Sequence, residues 1–274
     1  MITSLSHFSA KQARRRSSRF WTGVNRSARA LADSPFASEL DRNRAWYVGA
    51  FAEALLLYLS AWRSIKGREF FEAWCTLERA EIVLVALQRN AELAVDDFRV
   101  AELLALVVRW QSTYPYSVFA SPEFHIKSEI CSICRCKISP RVSCGHRVGK
   151  IYNGRECHRI VQGMQLLGVA IVNAPVQKYS VLHPWKDDPD SHVLVGYVSS
   201  LLRGPFDFWG LEWTYRWENF PNAIVGDDIC PCMSGYTFDL CCAQRQGIRR
   251  KHVQVALAHS PPPDIPLLLI PESH

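Results

Sequence analysis

The sequence predicts an α+β protein with a helical N-terminal half, a cysteine-rich central module and a small β region that ends in a second cysteine cluster. Three observations predict it. Apolar residues recur at three- and four-residue steps from position 38 to about position 110. After Tyr114-Pro115-Tyr116 and Ser121-Pro122 the texture changes to short β-type runs broken by turns. Nine of the ten cysteines fall in two stretches, 131–157 and 230–242.

Residues 1–36 read as a flexible basic arm, because residues 1–30 carry seven Lys/Arg, among them Arg14, Arg15 and Arg16, and no acid. A Ser- and Arg-rich, acid-free start also describes a targeting segment, and that alternative stays open. A helical domain follows over 37–120. Ser38 and Asp41 form a capping-box-like start, Tyr47, Phe51, Leu55, Tyr58 and Trp62 continue one face, and Gly67 ends the helix. A second helix runs through Phe70, Trp74 and Leu77 to about Asn90. A third, capped by Asp96 or Asp97, runs through Leu103, Val107 and Trp110, and the three pack as an antiparallel bundle with the aromatic stripe inside.

Residues 121–229 form the central α+β module. Gly168–Val172, Lys178–Leu182 and Leu211–Trp217 are its strand candidates, Asn153-Gly154 marks a type I′ hairpin, and 155–164 reads as a helix. Val193–Leu202 is too evenly apolar to assign. Residues 230–274 hold the second cysteine cluster, a terminal strand over His252–Ala258 and an extended Pro-rich tail.

Composition excludes several classes. With 274 residues and 48% hydrophobic content, the chain is not disordered throughout. No uncharged apolar run reaches the ~18 residues of a membrane span. Residues 1–30 lack the apolar core of a secretory signal, and cysteines packed this closely suit metal better than disulfides, so a reducing, cytoplasmic compartment is expected.

The second cluster reads Cys230-Pro-Cys232-Met-Ser-Gly-Tyr-Thr-Phe-Asp-Leu-Cys241-Cys242. Cys230, Cys232, Cys241 and Cys242 supply four sulfur donors, which complete a tetrahedron around one Zn²⁺ and leave no position for a substrate water. Such a closed site is structural. The stretch resembles the SEC-C motif, the zinc knuckle found at the C-terminus of the SecA translocase ATPase and as a detached module in many bacterial proteins. The motif's Cys-Pro-Cys-x-Ser-Gly, aromatic and paired cysteines are matched from Cys230 to Cys242. Met233 replaces the common glycine, and Tyr236, Thr237 and Asp239 replace the usual lysines. The resemblance implies zinc and a protein partner, such as a chaperone, a translocation or ribosome-associated factor, or another subunit of a bacterial assembly.

The first cluster offers Cys131, Cys134, Cys144 and His146 as a second four-donor set, with a spacing in the style of a zinc ribbon or treble clef. Cys157 in place of His146, and Cys136 in place of Cys134, are the rival sets. Arg135, Arg141, Arg147 and Lys150 lie among these donors and, with Arg14, Arg15 and Arg16, mark the stretch where nucleic-acid phosphates would bind.

The expected function is non-enzymatic: two Zn²⁺ per chain stabilise modules that mediate protein–protein interaction. Two alternatives remain. One is nucleic-acid binding through the basic arm and residues 131–160. The other is a metal-dependent hydrolase using His183, Asp187, Asp188, Asp190 and His192, a loop that gathers the side chains such chemistry needs.

Overall fold

A computed structural model describes residues 17–96, 98–139, 141, 144–183, 186, 188–219, 224–232, 234–245 and 247–257. Arg14, Arg15, Arg16, Asp97, Asp187, Met233 and the Pro-rich tail lie outside the described residues.

Four helices build the N-terminal half: α1 (Ser18–Ala32), α2 (Glu39–Lys66), α3 (Phe70–Arg89) and α4 (Val100–Gln111). α2 starts as its sequence predicts. Ser38 Oγ accepts the Asp41 N–H at 3.1 Å and donates to the Asp41 carboxylate at 2.7 Å, while Gly67 is the C-cap. α3 likewise ends at Asn90. Tyr58, Leu77, Leu84, Leu87, Val107 and Trp110 are fully buried between α2, α3 and α4, and each contributes roughly 1.5–3 kcal/mol of burial free energy. By length and composition α2 is apolar enough to cross a membrane, but 67% of its most apolar window is buried, as in a core helix.

Two expectations for this half are corrected. The arm over 1–36 contains a helix, α1, because Trp21, Ala28 and Ala32 form a buried stripe against α2. Trp21 meets Phe51 edge-on at 5.7 Å, and Asn25 Nδ2 donates to the Gly49 carbonyl at 2.8 Å. The acid-free composition drew attention to charge and hid this stripe. α4 is preceded by Arg99 at φ 48 and lacks a side-chain cap, so Asp96 does not cap it.

The β elements are ribbons. β1 (Phe119–Cys131) pairs antiparallel with β5 (Arg159–Val172) along its length and with the two-residue β2 (Lys137–Ile138), in the order β2-β1-β5. The helix expected over 155–164 is therefore wrong. Gly163 and Gly168 weaken a helix, and Ile160, Val161, Val169 and Ile171 favour extended backbone once β1 is there to pair with it. β1 is hidden in the sequence because Pro122 falls inside it; the register shifts just beyond, between Glu123 and Phe124. The strand expected at Lys178–Leu182 is reduced to one bridge between Val181 and Phe119.

β3 (Ile151–Tyr152) and β4 (Arg155–Glu156) form the expected Asn-Gly hairpin, with Asn153 at φ 50 and Gly154 at φ 75. The hairpin docks on the helices. Gly154 N–H donates to Asn43 Oδ1 at 2.7 Å, Asn90 Nδ2 donates to the Gly149 carbonyl at 2.8 Å, and Lys150 Nζ reaches the Arg89 carbonyl at 2.6 Å. A Cβ on Gly154 would lie 2.8 Å from the Ala32 carbonyl oxygen. Gly154→Ala is thus expected to lose at least about 1–2 kcal/mol from left-handed strain alone, plus the clash, read as a lowered urea midpoint.

The chain divides into two units, residues 1–196 and 197–274. The 149–156 hairpin joins the first cluster to the helices, while pairing across the second cluster joins residues 209–218 to 248–257. The unassigned stretch 193–202 contains α5 (Val193–Leu201). β6 (Trp209–Glu218) and β7 (Ile248–Leu257) pair in regular antiparallel register, from Trp209 opposite Leu257 to Glu218 opposite Ile248.

Candidate metal centres

The two cysteine clusters occupy equivalent places. Cys131 is the last residue of β1 and Cys157 lies two residues before β5, so the first cluster is the connection of the β1–β5 ribbon. The second cluster, 230–242, lies in the connection of the β6–β7 ribbon. Each pair of long strands is therefore closed by a cysteine-rich segment.

In the first cluster the ligand atoms of Cys131, Cys134, Cys144 and His146 all lie within 4.8 Å of one another, so they can hold a metal ion. Cys131-Ser-Ile-Cys134 forms a tight turn: the Ile133 N–H points at Cys131 Sγ (3.4 Å), and the Arg135 N–H donates to the Cys131 carbonyl at 2.9 Å. Arg135 stands at φ 62 at the exit of this turn, a conformation usually left to glycine. His146 is held edge-on by Tyr152, centroids 4.6 Å apart, and its Nδ1 is buried without a hydrogen-bond partner. Buried ring nitrogens are rarely left unsatisfied, and a bound cation would account for this site. Cys136 is exposed, its carbonyl accepts the Cys131 N–H at 3.0 Å, and its thiol and backbone N–H also reach the Cys134 thiol. Cys157 is buried, with its sulfur 3.9 Å from that of Cys131, so a fifth donor borders the set.

In the second cluster Cys230, Cys232, Cys241 and Cys242 meet the same 4.8 Å limit. Cys232 Sγ is 3.4 Å from Cys241 Sγ, which is 3.8 Å from Cys242 Sγ. Four sulfurs bound tetrahedrally at ~2.3 Å are about 3.8 Å apart, so the spacing suits a thiolate-bound metal. The backbone holds this arrangement: Cys230 N–H donates to the Tyr236 carbonyl at 2.7 Å, Phe238 N–H to the Asp228 carbonyl at 2.8 Å, and Gly235 turns the chain at φ 80. The Asp228 carboxylate accepts the Val225 N–H and so closes a turn before the cluster.

The thiols are unevenly poised. The Cys134 N–H, working against burial, brings Cys131 down to about 6; burial resists ionisation of Cys232, but hydrogen bonds from Ser234, Cys230 and Cys241 outweigh it and bring that thiol to about 6. Burial pushes Cys157 up to about 11 and Cys230 up to about 12. A cation bound by these sulfurs would displace the protons of the raised thiols into solvent. Metal uptake must release protons and weaken as the pH falls.

The chain matches no family model, no curated protein and no solved structure.

The other predicted groups are spent differently. His192 is buried, with Nε2 2.7 Å from the Tyr116 hydroxyl and Nδ1 2.9 Å from the Asp188 carbonyl. Asp188 caps a turn by accepting the Asp190 N–H, and Asp190 pairs with Arg68 at 2.6 Å. Burial pushes His183 below the usual histidine value. Of the described carboxylates in this loop, Asp188 thus holds a turn and Asp190 a surface pair. Of the predicted phosphate contacts, Arg135, Arg141 and Arg147 are exposed, whereas Lys150 pairs with Glu92 at 2.7 Å.

Proposed function

We propose that the chain is a non-enzymatic zinc protein in which two Zn²⁺ ions close the connections of two β-ribbons and the ribbons carry the binding surfaces. The observation that carries this reading is the placement of each four-donor set between paired strands. Soft thiolates in closed sets of four favour zinc in a structural role. The resemblance of residues 230–242 to the SEC-C knuckle supports the same metal and a protein partner.

The β1–β5 ribbon supports a protein partner independently. Met164, Leu166, Leu167, Val169 and Ile171 on β5 are each more than half exposed. An exposed apolar stretch of this kind marks an interaction site more often than a solvated surface. β5 is also the edge of its sheet, with backbone groups available for an added strand. Leu166→Glu combined with Ile171→Glu should leave zinc content and circular dichroism unchanged and abolish recovery of the partner in affinity purification. Recovery equal to that of the unaltered protein would contradict the reading.

A further inference from the structure

The β6–β7 ribbon presents a surface that the zinc centres do not explain. Trp213, Tyr215 and Trp217 alternate along β6, so they share one face, and they are 47%, 59% and 48% exposed. Two arginines lie on these rings: the Arg249 guanidinium is 3.9 Å from the Tyr215 centroid, and that of Arg245 is 5.9 Å from the Trp217 centroid. The acids of β6, Glu212 and Glu218, alternate onto the opposite face, and β7 carries Arg249, Arg250 and Lys251 in succession without an acid. The opposite face buries Ile248 and His252, and the ring face is itself buried at Trp209 and Val253, so the exposed part of that face is the stretch of β6 from Trp213 to Trp217.

We propose that this aromatic face binds single-stranded nucleic acid. Rings two residues apart on a strand are ~6.8 Å apart. That is twice the ~3.4 Å per nucleotide of a stacked strand. An extended strand with splayed bases can therefore seat successive bases on successive rings. Arg249 lies over Tyr215 and Arg245 near Trp217, so these guanidinium groups add planar, positively charged surface beside the rings for bases and backbone. A duplex hides its base faces and gains only the charge contacts. Every base has a π-face, so recognition is of single-strandedness and not of sequence. The site needs only the β6–β7 ribbon and uses none of the β5 residues assigned to a protein partner.

The test uses the full-length, zinc-loaded protein with labelled deoxy- and ribo-oligonucleotides of about 12 nucleotides, within the site sizes of single-strand binders, and with a duplex of the same length. Anisotropy and tryptophan quenching are followed across a salt series. At least one single strand should bind more tightly than the duplex and quench tryptophan. Tyr215→Ala and Trp217→Ala should each weaken binding between about 5-fold and about 150-fold. Trp217→Phe should keep most of the affinity, and Arg249→Gln should reduce the salt slope by about one. Unchanged zinc content and circular dichroism establish that the variants are folded. The proposal is overturned if neither strand binds, if the alanine variants bind as the unaltered protein does, or if Trp217→Ala costs the chain a protein partner while oligonucleotide affinity stays the same.

Discussion

Replacing Cys230 by serine should remove one metal ion and release the register of β6 and β7. Cys230 is almost fully buried and belongs to the second four-donor set. β6 and β7 form a sheet of two strands, and two-stranded ribbons are marginal on their own in water. Their connection spans residues 219–247, whose closure costs chain entropy that few ladder hydrogen bonds recover. A structural zinc contributes an apparent ~10–16 kcal/mol in small zinc modules, far above that cost, so its loss dominates. Hydrogen exchange should show β6 and β7 amides of Cys230→Ser exchanging many times faster while α2 and α3 amides keep their protection. Unchanged protection in β6 and β7 would mean that the ribbon is held without a metal.

Cys131→Ser should remove the other ion, and it is the most damaging single change in the first cluster. Cys131 ends β1, belongs to the four-donor set, takes backbone contacts from Arg135 and Ile133, and lies 3.9 Å from Cys157. Whichever donor is fourth, Cys131 is needed. His146 is assigned that place because its Nδ1 is buried and unpartnered and its ring is fixed against Tyr152. Cys157, pushed up to about 11 by burial, is a packed thiol next to the set. His146→Ala should therefore lower metal content by one ion per chain, and Cys157→Ser should leave it unchanged. The reverse pattern would exchange the two residues' roles.

What the sequence made legible was local chemistry. Ser38, Asp41 and Gly67 bound α2 because caps act within a turn, and Asn153-Gly154 marks its hairpin because only certain residues accept two positive φ values. The donor sets were legible for the same reason: metal ligands recur at short spacings, and both sets assemble as that spacing implies. Long-range pairing was hidden. β5 is apolar on both sides of the strand, so no alternation distinguished it from a helix until β1 supplied a partner. α1 is not legible as a helix in the basic arm because Trp21, Ala28 and Ala32 make sense as a stripe only against α2. Leu211–Trp217 is legible as a strand candidate, but its partner β7 lies beyond the second cluster, so which of its rings stay exposed is not.

Native mass spectrometry of the intact chain tests most directly whether two zinc ions close the two ribbons. The unaltered protein should carry two zinc ions, Cys131→Ser and Cys230→Ser one each, and the double variant none. An unaltered protein with fewer than two ions, or a single variant that still holds both, would contradict that closure.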